Sequence, residues 1–100
     1  MTVIISLSEV QTIREAEATA QILRDALSGD GGVLLDCEGI EEADLTFLQL
    51  VIAGRKSAAG QGKTLGLTAT ARGPLLAALD SAGIRPEGDQ AFWFEGETTR

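Results

Sequence analysis

The stretch Ala43-Asp44-Leu45-Thr46-Phe47-Leu48-Gln49 is where residue type and spacing say most about chemistry in this 100-residue chain. An acidic run (Asp36, Glu38, Glu41, Glu42, Asp44) ends there and an apolar helix begins. Asp44 alone fits an N-cap, and Thr46 with Gln49 fits a capping box, in which the hydroxyl accepts from a first-turn backbone N–H. A hydroxyl at that end of a helix is also a place where phosphate is tolerated, because unpaired N–H groups and the helix dipole favour an anion. A phosphate there adds about −1.5 to −2 charge beside the existing acids, which repels a partner while leaving the fold intact.

Other chemistries fall away on residue type. There is no His and only one Cys. That excludes Ser-His-Asp and Cys-His triads, a Cys/His zinc set and an intrachain disulfide framework. Ser57-Ala58-Ala59-Gly60-Gln61-Gly62-Lys63-Thr64 resembles the phosphate-binding loop G-x-x-x-x-G-K-[ST]. Ser57 replaces its first Gly, and a helix precedes where a strand is needed. A helix C-cap with Lys63 solvated at the turn is expected instead. Cys37 lies between Asp36 and Glu38, which oppose a thiolate, so a buried structural thiol is expected. The acidic run has the composition for a hard cation but matches no EF-hand spacing, so it reads as a solvated rim. No metal, no cofactor and no enzymatic activity are expected.

Net charge is −7, from 15 acidic and 8 basic residues, and it is uneven. Between Leu45 and Leu79 there are bases but no acid. An acidic chain is a poor match for nucleic acid or an anionic membrane. No apolar run approaches the ~18 residues of a membrane span, and the N-terminus has no signal-peptide pattern. A cytoplasmic location is expected.

These residues need a scaffold. Val3–Leu7 reads as a strand. Thr12-Ile13-Arg14-Glu15 reads as a capping box, or as the end of a short strand over Gln11–Ile13, leading into a helix to about Ser28. Gly32–Cys37 reads as a strand apolar on both faces, as a parallel or mixed sheet requires. A second helix runs from about Leu45 to Ala59, a strand over Thr64–Ala69, and a third helix opens at Gly73-Pro74 and stops at Gly83. Phe92-Trp93-Phe94 is a last short strand or a segment packing back over the core. Alternating strands and helices give one α/β domain over residues 1–100, with its core at about 3–84 and the aromatic segment within 91–95.

The second helix is apolar almost all round. Leu45, Leu48, Ile52 and Ala59 can supply an inward stripe, which leaves Phe47, Leu50, Val51 and Gly54 over. Those either lie under the aromatic tail or face a partner.

In this order the elements resemble the STAS domain, named for sulfate transporters and anti-sigma factor antagonists. The resemblance spans roughly Val3 to Ile84. It rests on Leu34-Leu35-Asp36-Cys37-Glu38-Gly39-Ile40, Asp44-Leu45-Thr46-Phe47-Leu48, Gly62-Lys63-Thr64-Leu65 and Ser81-Ala82-Gly83-Ile84. It implies a mixed sheet of four to five strands with three to four helices, and a non-enzymatic bacterial signalling module. For an anti-sigma factor antagonist it implies phosphorylation at Thr46 by a partner Ser/Thr kinase that is itself the anti-sigma factor. Asp44, Leu45, Thr46, Phe47, Leu50 and Gly54 would then meet the partner. Phe47 stands where the family has Gly, which would obstruct a kinase. The same resemblance covers constitutive scaffold subunits of chemosensory or lipid ABC transport assemblies. The oligomeric state, monomer or homodimer, is left open.

Overall fold

The computed structural model describes residues 2–29, 31–85 and 87–95. Three strands, β1 (Val3–Ser6), β3 (Val33–Asp36) and β5 (Leu65–Leu67), form a sheet in the order β1-β3-β5. Two shorter strands, β2 (Val10–Gln11) and β4 (Glu42–Ala43), pair apart from it. Every pairing among the described residues is parallel. The α/β class therefore holds, but the expected single mixed sheet is two parallel ones. The reason is connectivity: the helices α1 (Ala16–Leu27) and α2 (Leu45–Gly60) carry the chain back between β1, β3 and β5.

The helix ends follow from local chemistry. Thr12 makes its capping box: its side chain accepts from the N–H of Arg14, and Glu15 accepts from the Thr12 N–H at 3.3 Å. It opens a 3-10 turn, Ile13–Glu15, that runs into α1. Both sequence alternatives are thus partly realised, since the short strand β2 ends one residue before the box. At the end of α2, Gly62 takes φ 75°, Lys63 N–H donates to Ala58 O at 2.8 Å and Gly62 N–H to Ala59 O at 3.1 Å. That is a Schellman stop, and Gly83 closes α3 (Gly73–Ser81) in the same way. The phosphate-loop look-alike is therefore a helix terminus. Lys63 is not solvated as expected: its ammonium donates to the Leu27 and Gly29 carbonyls at the end of α1, where a cation is favoured.

The core lies on one face of the larger sheet. Val33, Leu35, Leu65 and Leu67 are buried, with Leu23 and Leu27 from α1, Phe47, Leu48 and Val51 from α2, and Leu75 and Leu79 from α3. The opposite face aligns Ile4, Leu34 and Gly66 in register. It is only partly covered, and Ile4 is 62% exposed. β3 is therefore not buried on both sides as its sequence suggested.

The aromatic tail is helical, not a strand. Phe92–Glu95 forms one turn, α4, whose Phe92 and Trp93 enter the core. Ala71 N–H donates to Trp93 O at 2.8 Å and the Thr70 hydroxyl to Phe94 O at 3.0 Å, which pins α4 to the segment after β5. The Trp93 indole N–H donates to Gln90 Oε1 at 3.1 Å, so this fully buried ring leaves no unpaired polar atom. Trp93→Ala should lower stability by about 3–5 kcal/mol, the cost of emptying a large buried site. Urea unfolding measures it, and a loss under about 1 kcal/mol would show that the tail is not part of the core.

Candidate functional site

The start of α2 is built around one carboxylate. Asp44 takes an extended backbone, and its Oδ1 accepts from the Phe47 N–H at 3.2 Å. Its Oδ2 accepts from the Ile13 N–H at 3.0 Å, 31 residues away in sequence. Asp44 N–H donates to Gln11 O at 3.2 Å. The N-cap thus also bolts β2 and the 3-10 turn to α2. Behind it, buried Gln11 receives the Thr19 hydroxyl at 2.7 Å and donates to the Ser8 hydroxyl at 2.9 Å. No buried side-chain polar atom among the described residues lacks a partner.

Because Asp44 is the cap, Thr46 is the second residue of the helix and its box with Gln49 does not form. The Thr46 hydroxyl makes no hydrogen bond to the described residues. The N–H groups of Leu45 and Thr46 likewise have no acceptor there. The site therefore holds a half-buried hydroxyl beside two uncommitted amides at the positive end of a 16-residue helix.

The expected docking residues separate. Asp44, Leu45 and Thr46 reach the surface, and Leu45 is 54% exposed. Phe47 is 1% exposed and belongs to the core, as does Val51. The expected inward stripe is thus corrected: Leu45 points out, and Phe47, Leu48, Val51 and Ala58 point in. Leu50 is half-buried at the seam with α1. Gly54 lies inside that seam, where a Cβ would come within 3.0 Å of Leu65 Cδ2 and 3.6 Å of Leu23 Cδ1. Neither Phe47 nor Gly54 can offer a side-chain surface to a partner. Ile13, which sequence reasoning passed over, is 69% exposed and held beside Asp44 by the bond above. Its only sequence signal is an apolar residue inside a capping box, where a polar one would serve.

The acids do not converge. Glu38 pairs with Arg72 at 2.7 Å, and Asp36 accepts from the Ser6 hydroxyl at 3.4 Å and from the Glu38 N–H at 3.1 Å. The Glu38–Arg72 pair is exposed at both ends, so its contribution is about 0–1 kcal/mol. Among the described residues no three His, Cys, Asp or Glu side chains could hold one metal ion. A cleft of about 430 Å³ opens instead between the later turns of α2 and α4, with Arg55, Lys56 and Lys63 on its wall. Lys63 is committed to α1 there. Arg55 donates to Leu65 O at 2.9 Å and stands 4.1 Å over the Phe92 ring. Arg55 and Lys63 thus tie elements together.

Burial, and then the adjacent Asp36 charge, push the Cys37 thiol up to about 12. Burial of the neutral thiol thus adds stability that is full below the ordinary thiol range and is lost as pH rises from it toward 12.

A small parallel α/β domain with a capped, outward-facing helix start fits a regulatory or scaffold module. A family described as "Mlab, STAS domain" matches residues 1–85, and the chain belongs to the STAS-domain family. STAS domains are in general non-catalytic. No curated protein and no solved structure matches the chain. No helix among the described residues is long and apolar enough to cross a membrane.

Asp44→Ala should cost about 1–2 kcal/mol, and Thr46→Ala less than about 0.5 kcal/mol, in urea unfolding. Equal losses would make the Thr46 hydroxyl structural. Iodoacetamide at pH 8 should modify Cys37 about a thousandfold more slowly in the native protein than in urea. Comparable rates would mean an accessible thiolate.

Proposed function

We propose that this chain is a cytoplasmic regulatory module of the anti-sigma factor antagonist kind. It docks a Ser/Thr kinase or anti-sigma factor through the start of α2, and phosphorylation of Thr46 releases the partner. The observation that carries this reading is the division of labour at the cap. Asp44 satisfies the helix, so the Thr46 hydroxyl and the Leu45 and Thr46 amides have no structural duty among the described residues. Phosphate on Thr46 would find those amides and the helix dipole.

Two further features support it. The ring of Phe47 is turned into the core, so the bulk that replaces the family's glycine does not lie over the hydroxyl. Leu45 and Ile13 form an exposed apolar pair flanking Asp44, with exposed Glu9, Glu41 and Glu42 on the neighbouring ladder. A partner with an apolar anchor pocket and a basic rim fits such a surface, and added phosphate charge weakens the fit. The same apolar pair supports a second reading, a constitutive scaffold subunit of a chemosensory or lipid ABC transport assembly, because it does not depend on Thr46.

The test is purification from the native cells with mass spectrometry of the Thr46 peptide, together with pull-downs of the partner. Wild type should capture a kinase or anti-sigma factor. Thr46→Glu should weaken capture about tenfold or more, about 1.4 kcal/mol, and Leu45→Glu should abolish it. Equal capture by wild type and Thr46→Glu would sink the switch and leave the scaffold. Full capture by both Leu45→Glu and Ile13→Glu would sink the docking face.

A further inference from the structure

The two edges of the larger sheet are treated differently. Beside β5, α4 is pinned to the following segment through Trp93 O and Phe94 O. No strand pairs with the outer side of β1 among the described residues. Val3 N–H donates to Gly32 O at 3.0 Å and Leu7 N–H to Asp36 O at 3.1 Å, so alternate residues from Val3 to Leu7 turn their backbone groups toward β3. By the same alternation Ile4 and Ser6 aim their N–H and C=O groups outward, as a ready template for another strand.

Proteins guard such edges with Lys, Pro, a bulge or a covering element. Among the described residues β1 has none of these. From Thr2 to Ser8 the chain carries no charge and no Pro, and its register with β3 is unbroken. Val3 and Ile4 are exposed, at 44% and 62%. The strand's shortness, four residues, is its one protection.

We infer that β1 pairs with β1 of a second copy of this chain, antiparallel across a two-fold axis, to give a continuous six-stranded sheet. Charge selects a second copy over an unlike partner. The chain carries −7, and the strip from Thr2 to Ser8 is where two copies meet without opposing like charges. A neutral strip offers a charged partner nothing to match. It is also self-complementary in sequence, as an isologous contact must be. With Ile4 opposite Ile4 as the hydrogen-bonded pair, Thr2 faces Ser6 twice, and the exposed isoleucines cover one another. Asp36 lies beside Ser6. In this register the two Asp36 side chains are offset by roughly 13 Å along the strands, beyond the ~8 Å screening length at physiological salt. The three-stranded sheet is also smaller than the usual ~5–6 strands, which the pairing restores. The inference is independent of the docking face at α2.

Sedimentation velocity on the full chain from about 10 to 500 μM tests it, over the range where weak homodimers populate. Wild type should move from 10.4 kDa toward twice that mass. Ile4→Lys should stay at 10.4 kDa with an unchanged circular dichroism spectrum, because the side chain is exposed. In a Cys37→Ser background, Ile4→Cys should cross-link to a dimer on oxidation, since opposed hydrogen-bonded residues sit about 5.5 Å apart, within disulfide reach. Ile4→Cys decides the matter should Ile4→Lys fail to fold. Wild type that stays monomeric at 500 μM, which would leave the edge to a strand of a different protein, overturns the inference. So does a dimer that survives Ile4→Lys, or one lost instead in Leu45→Glu.

Discussion

The carboxylate of Asp44 is the constraint on which the candidate site depends. One oxygen caps α2 and the other holds the backbone of Ile13. A helix that is apolar nearly all round has no strong rotational preference of its own. The cap supplies one. Once Asp44 fixes where α2 starts and how it enters, Phe47 and Leu48 fall inward, Leu45 falls outward, and Thr46 is left with its hydroxyl uncommitted. The same bond keeps Ile13 beside Leu45. Core packing and the outward surface are therefore set by one interaction, and a change to Asp44 is felt in both.

That explains which parts of the site the sequence could reveal. The place was legible: an acidic run ending at a helix start, with Asp44 and Thr46 in it. The Thr12 capping box and the stop at Gly62 were legible too, because each is decided within a few residues. The inward face of α2 was not. Almost every position from Leu45 to Ala53 is apolar, so the periodicity that normally marks the buried stripe is absent. A bond from Ile13, far away in the chain, breaks the tie. The role of Trp93 was hidden for a related reason. One turn of helix has no periodicity to read, and its anchors, Thr70 and Ala71, lie beyond any local window.

The sheet shows the same limit. Helical crossovers make β1, β3 and β5 parallel, where a mixed sheet was expected. The separate β2–β4 ladder was not legible, because its two residues per strand are fixed by loop contacts: Glu9 O receives the N–H groups of both Glu41 and Glu42. That ladder brings Glu42 opposite Val10 and Glu41 against Glu9. The acidic rim is thus a product of tertiary pairing as well as of sequence order.

Charge then distinguishes two of the places where apolar side chains remain outside. Around α2 the exposed Leu45 and Ile13 stand beside Glu9, Glu41, Glu42 and Asp44. A second copy would bring the same acids to the same place, which opposes self-association through this surface. Along β1 the exposed Val3 and Ile4 have no charge in their own segment, and a strand edge supplies hydrogen bonds that do not depend on side-chain identity. There a second copy meets no penalty. The uneven spread of the −7 charge thus sets the two apolar outlets apart: acids surround the one at α2, and the one along β1 has none in its own segment.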